Sequence, residues 1–229
     1  MGDDSESSSD WYLNHYSKLN ASADPTSVAF KVLHNFLEKG FKDNTDLEIL
    51  EVGANNGEHA DFVKRGWKSY IASDLRLPEP KILAKLSQQA IDFQLADIEK
   101  LPFSSNVFDR VITTCVFHHV DHPEQSIQEL IRVCKPGGEI SILLPNDPGL
   151  SYRLLRKWSS LRRAKKAGIL GQAQLEHARQ HRNHYLSLKI VIANASKGNI
   201  IKISGFPICK PFYDLNLLTR ILITKKNSL

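Results

Sequence analysis

The sequence predicts an α/β protein with a seven-stranded, mostly parallel sheet, helices on both faces and an antiparallel last strand. Between residues 45 and 145, short apolar runs alternate with helical stripes, which is typical of parallel strands joined by helices. After a helical break at 148–197, two further apolar runs follow at 199–204 and 217–224. No helix separates these two runs, so the last strand is expected to run antiparallel.

Local signals set the element boundaries. A first helix is predicted to begin at the cap-and-proline pair Asp24-Pro25 and to end before Gly40. A second should run from about Gly57 to Arg65. Two more are expected at 80–89 and from about residue 121 to just before the Pro136-Gly137-Gly138 stop. The first five strands are predicted at 47–52, 69–74, 92–95, 108–115 and 139–144.

Composition is that of an ordinary soluble domain, with 41% apolar and 24% charged residues in a chain of 229. Residues 1–10 are acidic and serine-rich, which predicts a disordered tail rather than a signal peptide. Residues 11–229 are expected to form one domain. No apolar run approaches the ~18–20 residues of a membrane span. The three cysteines have no metal-like spacing and read as reduced thiols, which predicts a cytoplasmic protein.

Charge is concentrated in one region. Residues 151–190 carry ten Lys or Arg side chains against one acid, Glu176, while the whole chain has a formal charge of +5. The remainder of the chain is therefore acidic. The purely structural interpretation of this basic segment is a solvated pair of helices that covers the sheet. The functional one is a cap that holds an anionic acceptor or rests on an anionic membrane surface, since the stretch at 152–166 is amphipathic and contains Trp158.

The stretch at 49–57 carries the strongest chemical signal. An apolar strand leads into Glu51, and then Gly53, Asn55 and Gly57 follow before a helix start. Glycine allows the positive φ angles of a tight turn and lets a backbone approach a nucleotide-like ligand closely. Asn is the non-glycine residue that best tolerates the left-handed region. A turn of this kind is common in α/β proteins, so its order relative to later motifs decides its meaning.

Four motifs in sequence order resemble those of class I S-adenosylmethionine-dependent methyltransferases. They are the turn at 51–57, Asp74 after the second strand, Ala96-Asp97 after the third, and the run from Phe108-Asp109 through 117–120 to 134–138. The resemblance covers roughly residues 45–145. Within the class it points to the small-molecule branch typified by the ubiquinone/menaquinone C-methyltransferases. It implies a Rossmann-like fold, S-adenosylmethionine as cofactor and methyl transfer to a small acceptor.

The resemblance also implies roles for individual residues. Glu51 would pair with the cofactor's ammonium group, Asp74 would accept both ribose hydroxyls, and Asp97 with Ile98 would hold the adenine. A loop acid that caps the next helix is the alternative for Asp74, and a solvated loop acid is the alternative for Asp97. The full set of predicted cofactor contacts is Glu51, Gly53, Ala54, Asn55, Gly57, Asp74, Leu75, Asp97, Ile98, Cys115 and His119.

The acceptor side is expected in the insertion at 148–197. Methyl transfer to oxygen or nitrogen requires removal of a proton, and His119, His181 and His184 are candidate bases. His184 is preferred because Tyr185 beside it would form a polar aromatic wall. The catalytic candidates are thus His184, His119 and Tyr185, and the substrate-binding candidates are Asn146, Arg153, Arg156, Arg163 and Arg182.

A metal site is not predicted. His118, His119 and His122 lie close together in sequence, and imidazole is the commonest metal ligand. A strand end without a cysteine or carboxylate partner is, however, a poor site. A His-His pair also occurs in the resembled family without a metal. His118 is therefore as well explained as a packed structural residue.

Two rival functions stay open. The basic segment could serve an RNA-directed methyltransferase. Against this, amino-directed DNA enzymes carry an Asn/Asp-Pro-Pro-aromatic run after the fourth strand, where this chain has residues 114–117, Thr-Cys-Val-Phe. The second rival is a non-catalytic protein that binds S-adenosylmethionine or a protein partner, which Asn55 and the lack of a decisive base leave in play.

Overall fold

The computed structural model describes His15 and residues 27–41, 45–64 and 66–227. The predicted acidic tail at 1–10, the helix start at Asp24-Pro25 and the helix end at Arg65 lie outside these residues. The first described helix, α1, begins at Val28. Ser27 caps it, since its hydroxyl oxygen accepts a hydrogen bond from the Phe30 backbone nitrogen at 3.1 Å.

Seven strands form one sheet in the order β3-β2-β1-β4-β5-β7-β6. Only β7 runs antiparallel to its neighbours, β5 and β6, which confirms the predicted antiparallel last strand. The strands are β1 Glu48–Val52, β2 Ser69–Asp74, β3 Asp92–Leu95, β4 Phe108–Thr114, β5 Cys134–Pro145, β6 Ile200–Phe206 and β7 Leu218–Thr224.

Helices follow the predicted alternation, with the bounds α1 Val28–Glu38, α2 Pro80–Gln88, α3 Pro123–Val133, α4 Leu150–Trp158, α5 Ser160–Lys166, α6 Leu170–Gln180 and α7 Tyr185–Ala195. Prolines occupy the first turn of α2 and α3, where a missing backbone N–H costs nothing. No helix in the described part of the chain is long and apolar enough to span a membrane.

Two predicted boundaries were wrong. Instead of a helix from Gly57 to Arg65, a single 3₁₀ turn spans Glu58–Asp61, between Gly57 and Gly66, which both have positive φ. The glycine pair 137–138 lies inside β5 rather than before it. Its backbone bonds to Lys225, and a Cβ on Gly138 would lie 2.8 Å from the Asp109 carbonyl oxygen, so glycine allows the close pairing.

The sheet core has two faces that alternate along each strand. Leu50, Val111 and Ile142 pack on one face, whereas Ile49 and Leu143 are among those that pack on the other. Each fully buried aliphatic side chain contributes about 1.5–3 kcal/mol to folding. Strands buried on both faces explain the continuous apolar runs seen in the sequence.

The insertion at 148–197, here called the cap, is anchored at one end and exposed at the other. Tyr185, Leu188 and Ile192 of α7 are buried in the core of the main sheet. By contrast, α4 has no buried residue. The α5 and α6 helices share only a small cluster around Ala164 and Ala173. The cap is therefore held mainly by α7.

Candidate functional site

The turn after β1 has the backbone geometry that its sequence predicts. Gly53, Asn55 and Gly57 all lie in the left-handed region, with φ of 73°, 51° and 72°. A Cβ on Gly53 would lie 2.2 Å from the Val116 Cγ2 atom, so this backbone also presses against the loop after β4. Only glycine satisfies both constraints at position 53. Ala54, the residue between, is buried.

Glu51 is a buried carboxylate at the carboxyl end of β1. The Tyr70 hydroxyl donates a 2.8 Å hydrogen bond to its Oε2 atom. Burial raises the pKa of Glu51 to about 7, a shift that nearby His59 and the Tyr70 hydrogen bond only partly offset. No Lys, Arg or His nitrogen among the described residues forms an ion pair with Glu51. The group therefore lacks a cation.

A second buried acid in the same half of the protein is fully paired. Arg110 donates two hydrogen bonds to Glu38, at 2.6 and 2.9 Å, and His59 contacts the same carboxylate at 3.1 Å. Burial alone would raise the pKa of Glu38, but these partners lower it to about 2. His34 contacts His59 at 2.6 Å between Nδ1 atoms, and burial lowers the pKa of His34 to about 3. The contrast marks Glu51 as the unpaired acid.

Asp74 lies beside the turn, at the end of β2. Its Oδ2 atom accepts a 2.9 Å hydrogen bond from the Asn55 backbone nitrogen, and its Oδ1 atom accepts one at 3.3 Å from Arg76. The side chain therefore does not cap α2, whose N-cap residue is Glu79. One carboxylate thus links the end of β2 to the Gly-rich turn, where a ribose-binding acid is expected.

The next strand end completes this edge of the sheet. The Ala96 backbone nitrogen donates to the Asp74 carbonyl oxygen at 2.9 Å, so Asp97 follows directly beside Asp74. Asp97 is exposed and its Oδ1 atom accepts a 2.9 Å bond from the Glu99 backbone nitrogen, while Ile98 is buried. This Asx turn matches the alternative of a loop acid, and leaves the carboxylate with further acceptor capacity.

Leu75 and Cys115, two other predicted cofactor contacts, lie in different environments. Leu75 is 68% exposed, which is unusual for a large apolar side chain directly after a strand. Cys115 has a φ of 57° and a half-buried side chain, and burial raises the pKa of its thiol to about 12. The thiol therefore stays protonated and acts as a packing residue rather than as a nucleophile.

The cap docks on the loop that follows β4. The Asn183 side-chain amide donates to the carbonyl oxygens of Phe117 and Val120, at 3.1 and 2.7 Å. The Arg182 backbone nitrogen donates to the His118 carbonyl oxygen at 3.0 Å. These bonds bring together two segments about sixty residues apart in sequence, and they place the loop at 115–120 between the Gly-rich turn and the cap.

At this contact, four histidines and one acid form a cluster, which we call the histidine junction. His118 packs against His119 and against His181, with ring centroids 4.0 and 4.2 Å apart. His177 packs on His181 at 3.8 Å. Asp147 Oδ2 lies 2.9 Å from His181 Nδ1 and 3.1 Å from His177 Nε2.

Three imidazoles of the histidine junction, those of His118, His119 and His181, are held neutral, and its acid is held ionised. Burial lowers the pKa of His118 strongly and that of His119 as well. It also lowers the pKa of His181 to about 4, although Asp147 acts in the opposite direction. Burial would raise the pKa of Asp147, but hydrogen bonds from His177 and His181 lower it below its usual range. A neutral imidazole still has one N–H to donate, so a neutral His181 can form a hydrogen bond that keeps Asp147 ionised.

The catalytic candidates separate in the structure. His184 is exposed at the N-cap position of α7, and a solvated imidazole has no packing to fix it toward an acceptor. Tyr185 is buried and stacks on Tyr213 with centroids 5.6 Å apart, and its hydroxyl has no hydrogen-bond partner among the described residues. His119 belongs to the histidine junction, where its Nδ1 atom lies 2.9 Å from the Gln180 carbonyl oxygen.

Two of the substrate-binding candidates already have protein partners. Asn146 is fully buried; its Oδ1 atom accepts from Thr219 at 2.8 Å and its amide donates to the Tyr213 carbonyl oxygen at 3.2 Å. This favours a structural role over the predicted substrate contact. Arg182 pairs with Asp121 across the docking contact. Its charge therefore serves to hold the cap.

The other three arginine candidates differ in burial, and so in how each could bind an anion. Arg153 and Arg163 are exposed on α4 and α5. Arg156 is half-buried, and burial lowers its pKa, while Tyr152 and Asp147 partly offset this effect. Arg156 is therefore the predicted ligand that faces the protein interior.

Sequence reasoning missed the histidine junction. It grouped His118 and His119 with His122, which is instead exposed at the N-cap position of α3. The available signal was the four-residue spacing of His177 and His181, which places both on one face of a helix. Asp147, at the end of β5, gave a second signal, because the carboxyl ends of parallel strands meet at one edge.

The strand order, the antiparallel seventh strand and the acids at the ends of β1, β2 and β3 agree with the resemblance drawn from the sequence. Comparison with known proteins agrees. A family model described as a methyltransferase domain matches residues 50–142.

Curated relatives match the same class of protein. The ubiquinone/menaquinone biosynthesis C-methyltransferase of Pseudomonas aeruginosa (strain LESB58) is 38% identical over 86 residues, which are 38% of this chain and 33% of that protein. Demethylmenaquinone methyltransferase of Renibacterium salmoninarum is 31% identical over 94 residues, 41% of this chain and 39% of that protein. The chain thus spans about a third of the length of the curated relatives it matches.

Solved structures share the fold. A methyltransferase of Thermotoga maritima, described as dependent on S-adenosylmethionine, has a TM-score of 0.58 at 16% identity, covering 94% of this chain and 93% of that one. Phosphoethanolamine N-methyltransferase 2 of Haemonchus contortus, solved with S-adenosyl-L-methionine, has a TM-score of 0.63 at 13% identity, covering 96% and 58%.

Residues 50–142 therefore match a methyltransferase domain, this part of the chain resembles the ubiquinone/menaquinone C-methyltransferases, and the chain shares its fold with solved methyltransferases. The predicted resemblance and the predicted fold are confirmed. The family match ends at residue 142, before the cap begins, so it carries no information on the residues that would meet an acceptor.

Proposed function

We propose that this protein transfers the methyl group of S-adenosylmethionine to a small acceptor that it meets at an anionic lipid surface. The observation that carries the first half is the convergence of Glu51, the turn at 53–57 and Asp74 at one edge of the sheet. The second half rests on the exposed apolar and basic face of α4 and α5.

The residues at this edge fit the cofactor. S-adenosylmethionine supplies an electrophilic methyl group on a sulfonium sulfur. Glu51 is a buried acid whose pKa burial raises to about 7, and a bound ammonium group would offset that cost by pairing with the carboxylate. Gly53 and Gly57 keep the backbone free of side chains where a ligand would approach. We assign Glu51 to the ammonium group and the turn to close packing.

The ribose and adenine roles follow from acceptor capacity. An ionised carboxylate has about four lone-pair sites, and Asp74 accepts one backbone hydrogen bond on each oxygen. Two sites are thus left for the two ribose hydroxyls. Asp97 accepts one backbone bond and retains capacity for the adenine amino group. The exposed Leu75 and the buried Ile98 would provide apolar contact for the ring.

The acceptor would enter between the loop at 115–120 and the cap. This is where the cap docks, and the histidine junction lies at the same contact. Arg156 is the half-buried cation best suited to an anionic group on the acceptor. Of the predicted bases, His184 is solvated, so no protein contact orients it toward an acceptor.

The outer face of the cap suits an anionic lipid surface. Leu150, Leu154 and Trp158 recur every four residues on α4, and all three are exposed, Trp158 by 70%. Basic side chains flank this stripe on α4 and continue on α5, among them Arg162 and Arg163. An exposed apolar stripe with basic flanks is typical of a helix that lies in a membrane interface. A lipid-soluble ring, such as a quinone, or an anionic head group would both be met there.

Methyl transfer can be tested with cofactor labelled on its methyl group. We expect label to move from the cofactor into the organic-soluble fraction of a cell extract, and to move faster in the presence of anionic vesicles. Thin-layer separation of the product would distinguish a ring acceptor from a head-group acceptor. Label recovered only in RNA, or cofactor binding without transfer to any fraction, would contradict the proposal and favour one of the two rival functions.

A pair of matched variants tests the proposed contact with the membrane. Trp158→Ser removes the most exposed apolar residue of the α4 stripe, and Ile190→Ser removes an equally exposed residue from α7. We expect the first change, but not the second, to reduce sedimentation with anionic vesicles. Neutralising Arg162 and Arg163 together should weaken binding by about 2 kcal/mol, near 1 kcal/mol for each charge. Equal binding by all variants would refute this surface.

A further inference from the structure

We propose that His118, His119 and His181 bind a divalent transition-metal ion of the zinc type at the histidine junction. The three imidazoles come from two segments of the chain, the loop after β4 and the cap, and the tertiary fold brings them together. Metal binding is measured without cofactor or acceptor, so this inference stands or falls independently of the proposed function.

The positions of the ligand atoms permit one shared ion. Each of the three histidines offers a ring nitrogen, and these nitrogens all lie within 4.8 Å of one another. A tetrahedral zinc ion with Zn–N bonds of about 2.0–2.1 Å separates its ligand atoms by about 3.3 Å. Closing the remaining gap takes at most about 1.5 Å, which small rotations of the rings provide.

The outer hydrogen bonds are those of metal-binding histidines. A carbonyl oxygen can only accept, so the 2.9 Å contact of His119 Nδ1 with the Gln180 carbonyl places the ring proton on Nδ1. The 2.9 Å contact of His181 Nδ1 with the Asp147 carboxylate does the same. In both rings the lone pair then lies on Nε2. Metal ligands commonly show this pattern, with the second nitrogen donating to a carbonyl or carboxylate that fixes the ring.

His118 supplies an independent observation that points to a ligand. Its side chain is only 3% exposed, and its Nδ1 atom has no hydrogen-bond partner among the described residues. Buried ring nitrogens are normally satisfied, because leaving one unpaired forfeits its hydration. Two further imidazoles lie beside it, with centroids 4.0 and 4.2 Å away. A cation bound between the three rings would satisfy this nitrogen.

The neighbouring set of Asp147, His177 and His181 is a weaker choice for the ion. Asp147 Oδ2 already contacts His181 Nδ1 and His177 Nε2, so an ion bound there would displace both hydrogen bonds. With the ion at the three imidazoles, Asp147 instead keeps its role of orienting His181. Imidazole donors select zinc-type ions over magnesium or calcium, which prefer oxygen ligands.

An ion at this position would tie the cap to the loop after β4. His118 and His119 lie on one side of the contact and His181 on the other, alongside the Asn183 amide bonds to the same loop. Metal binding should therefore stabilise the docked cap. In this arrangement His119 is a ligand, which replaces the role of base predicted for it from the sequence.

The test uses the full chain, freed of metal by a chelator and titrated with Co²⁺ and then Zn²⁺. We expect one equivalent of Co²⁺ to give the strong visible absorption of a four-coordinate site, and Zn²⁺ to displace it. His119→Gln and His181→Gln should each weaken binding by at least 100-fold. Each change removes the imidazole nitrogen that would bind the ion.

Two controls make the outcome decisive. His122→Gln removes a histidine that is close in sequence but exposed elsewhere, and His177→Gln removes the ligand specific to the neighbouring set. Both should bind Co²⁺ within about threefold of the unaltered protein. Zn²⁺ should also raise the thermal unfolding midpoint of the unaltered protein but not that of His181→Gln. The absence of stoichiometric binding, or loss of binding in His177→Gln with retention in His119→Gln, would overturn the assignment.

Discussion

The region around the turn at 53–57 and the ends of β1 to β3, here called the cofactor half, positions its functional groups differently from the cap. Around the turn at 53–57, each functional group lies within a few residues of a strand end, and buried strands fix its position. In the cap, single helices such as α4 bury nothing, and chemical groups meet only where the cap docks. The proposed cofactor contacts therefore lie next to strand ends, whereas the proposed acceptor contacts depend on tertiary structure.

The largest expected contrast comes from two glycines with the same φ of 73°. Gly53→Ala adds left-handed strain of about 1–2 kcal/mol. It also adds a Cβ 2.2 Å from Val116, and overpacking of this kind costs a further 1–3 kcal/mol. Gly168→Ala in the cap has the same strain, but nothing lies within 4 Å of its Cβ.

Urea unfolding of both glycine variants checks this contrast. We expect a loss of about 2–5 kcal/mol for Gly53→Ala and about 1–2 kcal/mol for Gly168→Ala. Gly53→Ala should also lose S-adenosylmethionine binding, which Gly168→Ala should keep. Equal losses of stability in the two variants would mean that the turn is no more constrained than the cap.

A smaller effect should appear in the pH dependence of stability. The folded-state pKa of Glu51 is raised from 4.5 to about 7, so its contribution is fully present below about pH 4.5 and is lost as the pH rises through 7. This amounts to roughly 3 kcal/mol between those limits. His34 and His181, whose pKa values are lowered, change stability in the opposite direction over an overlapping range, and Glu38 does so below about pH 4.5.

The Glu51 contribution is isolated by comparison with Glu51→Gln. The difference in unfolding free energy between the two proteins should change steadily between pH 4.5 and 7, since the other groups are common to both. Cofactor binding should release a proton from the unaltered protein near pH 6.5, because an ammonium group lowers the pKa of Glu51. A difference that stays flat with pH would show that Glu51 titrates normally.

Much of the cofactor half could be predicted from the sequence because its signals are periodic and adjacent. Strand alternation fixed β1 to β4 to within about a residue, and Asp74 and Asp97 lie at strand ends as expected. The errors came from backbone constraints that composition does not reveal. The helix predicted after Gly57 is instead a 3₁₀ turn between two glycines with positive φ, Gly57 and Gly66. The glycines at 137–138 belong to β5 because their backbone pairs with Lys225.

The histidine junction and the role of Asn146 could not be predicted from the sequence for a different physical reason. His118 and His181 are 63 positions apart, and only the docking of Asn183 on the β4 loop brings them to 4.2 Å. Sequence proximity suggested His122 instead, which lies outside the junction. Asn146 was expected at the substrate, yet the bonds to Thr219 and Tyr213 that bury it form only in the folded chain.

The most direct test of the central claim is the affinity for S-adenosylmethionine of Asp74→Ala, measured by calorimetry. Losing the acceptors for the ribose hydroxyls should weaken binding by about 1–3 kcal/mol, or roughly 5- to 150-fold. Asp121→Ala, which removes an exposed acid that pairs with Arg182, serves as the control and should bind normally. An unchanged affinity in Asp74→Ala would contradict the assignment of this strand end to the cofactor.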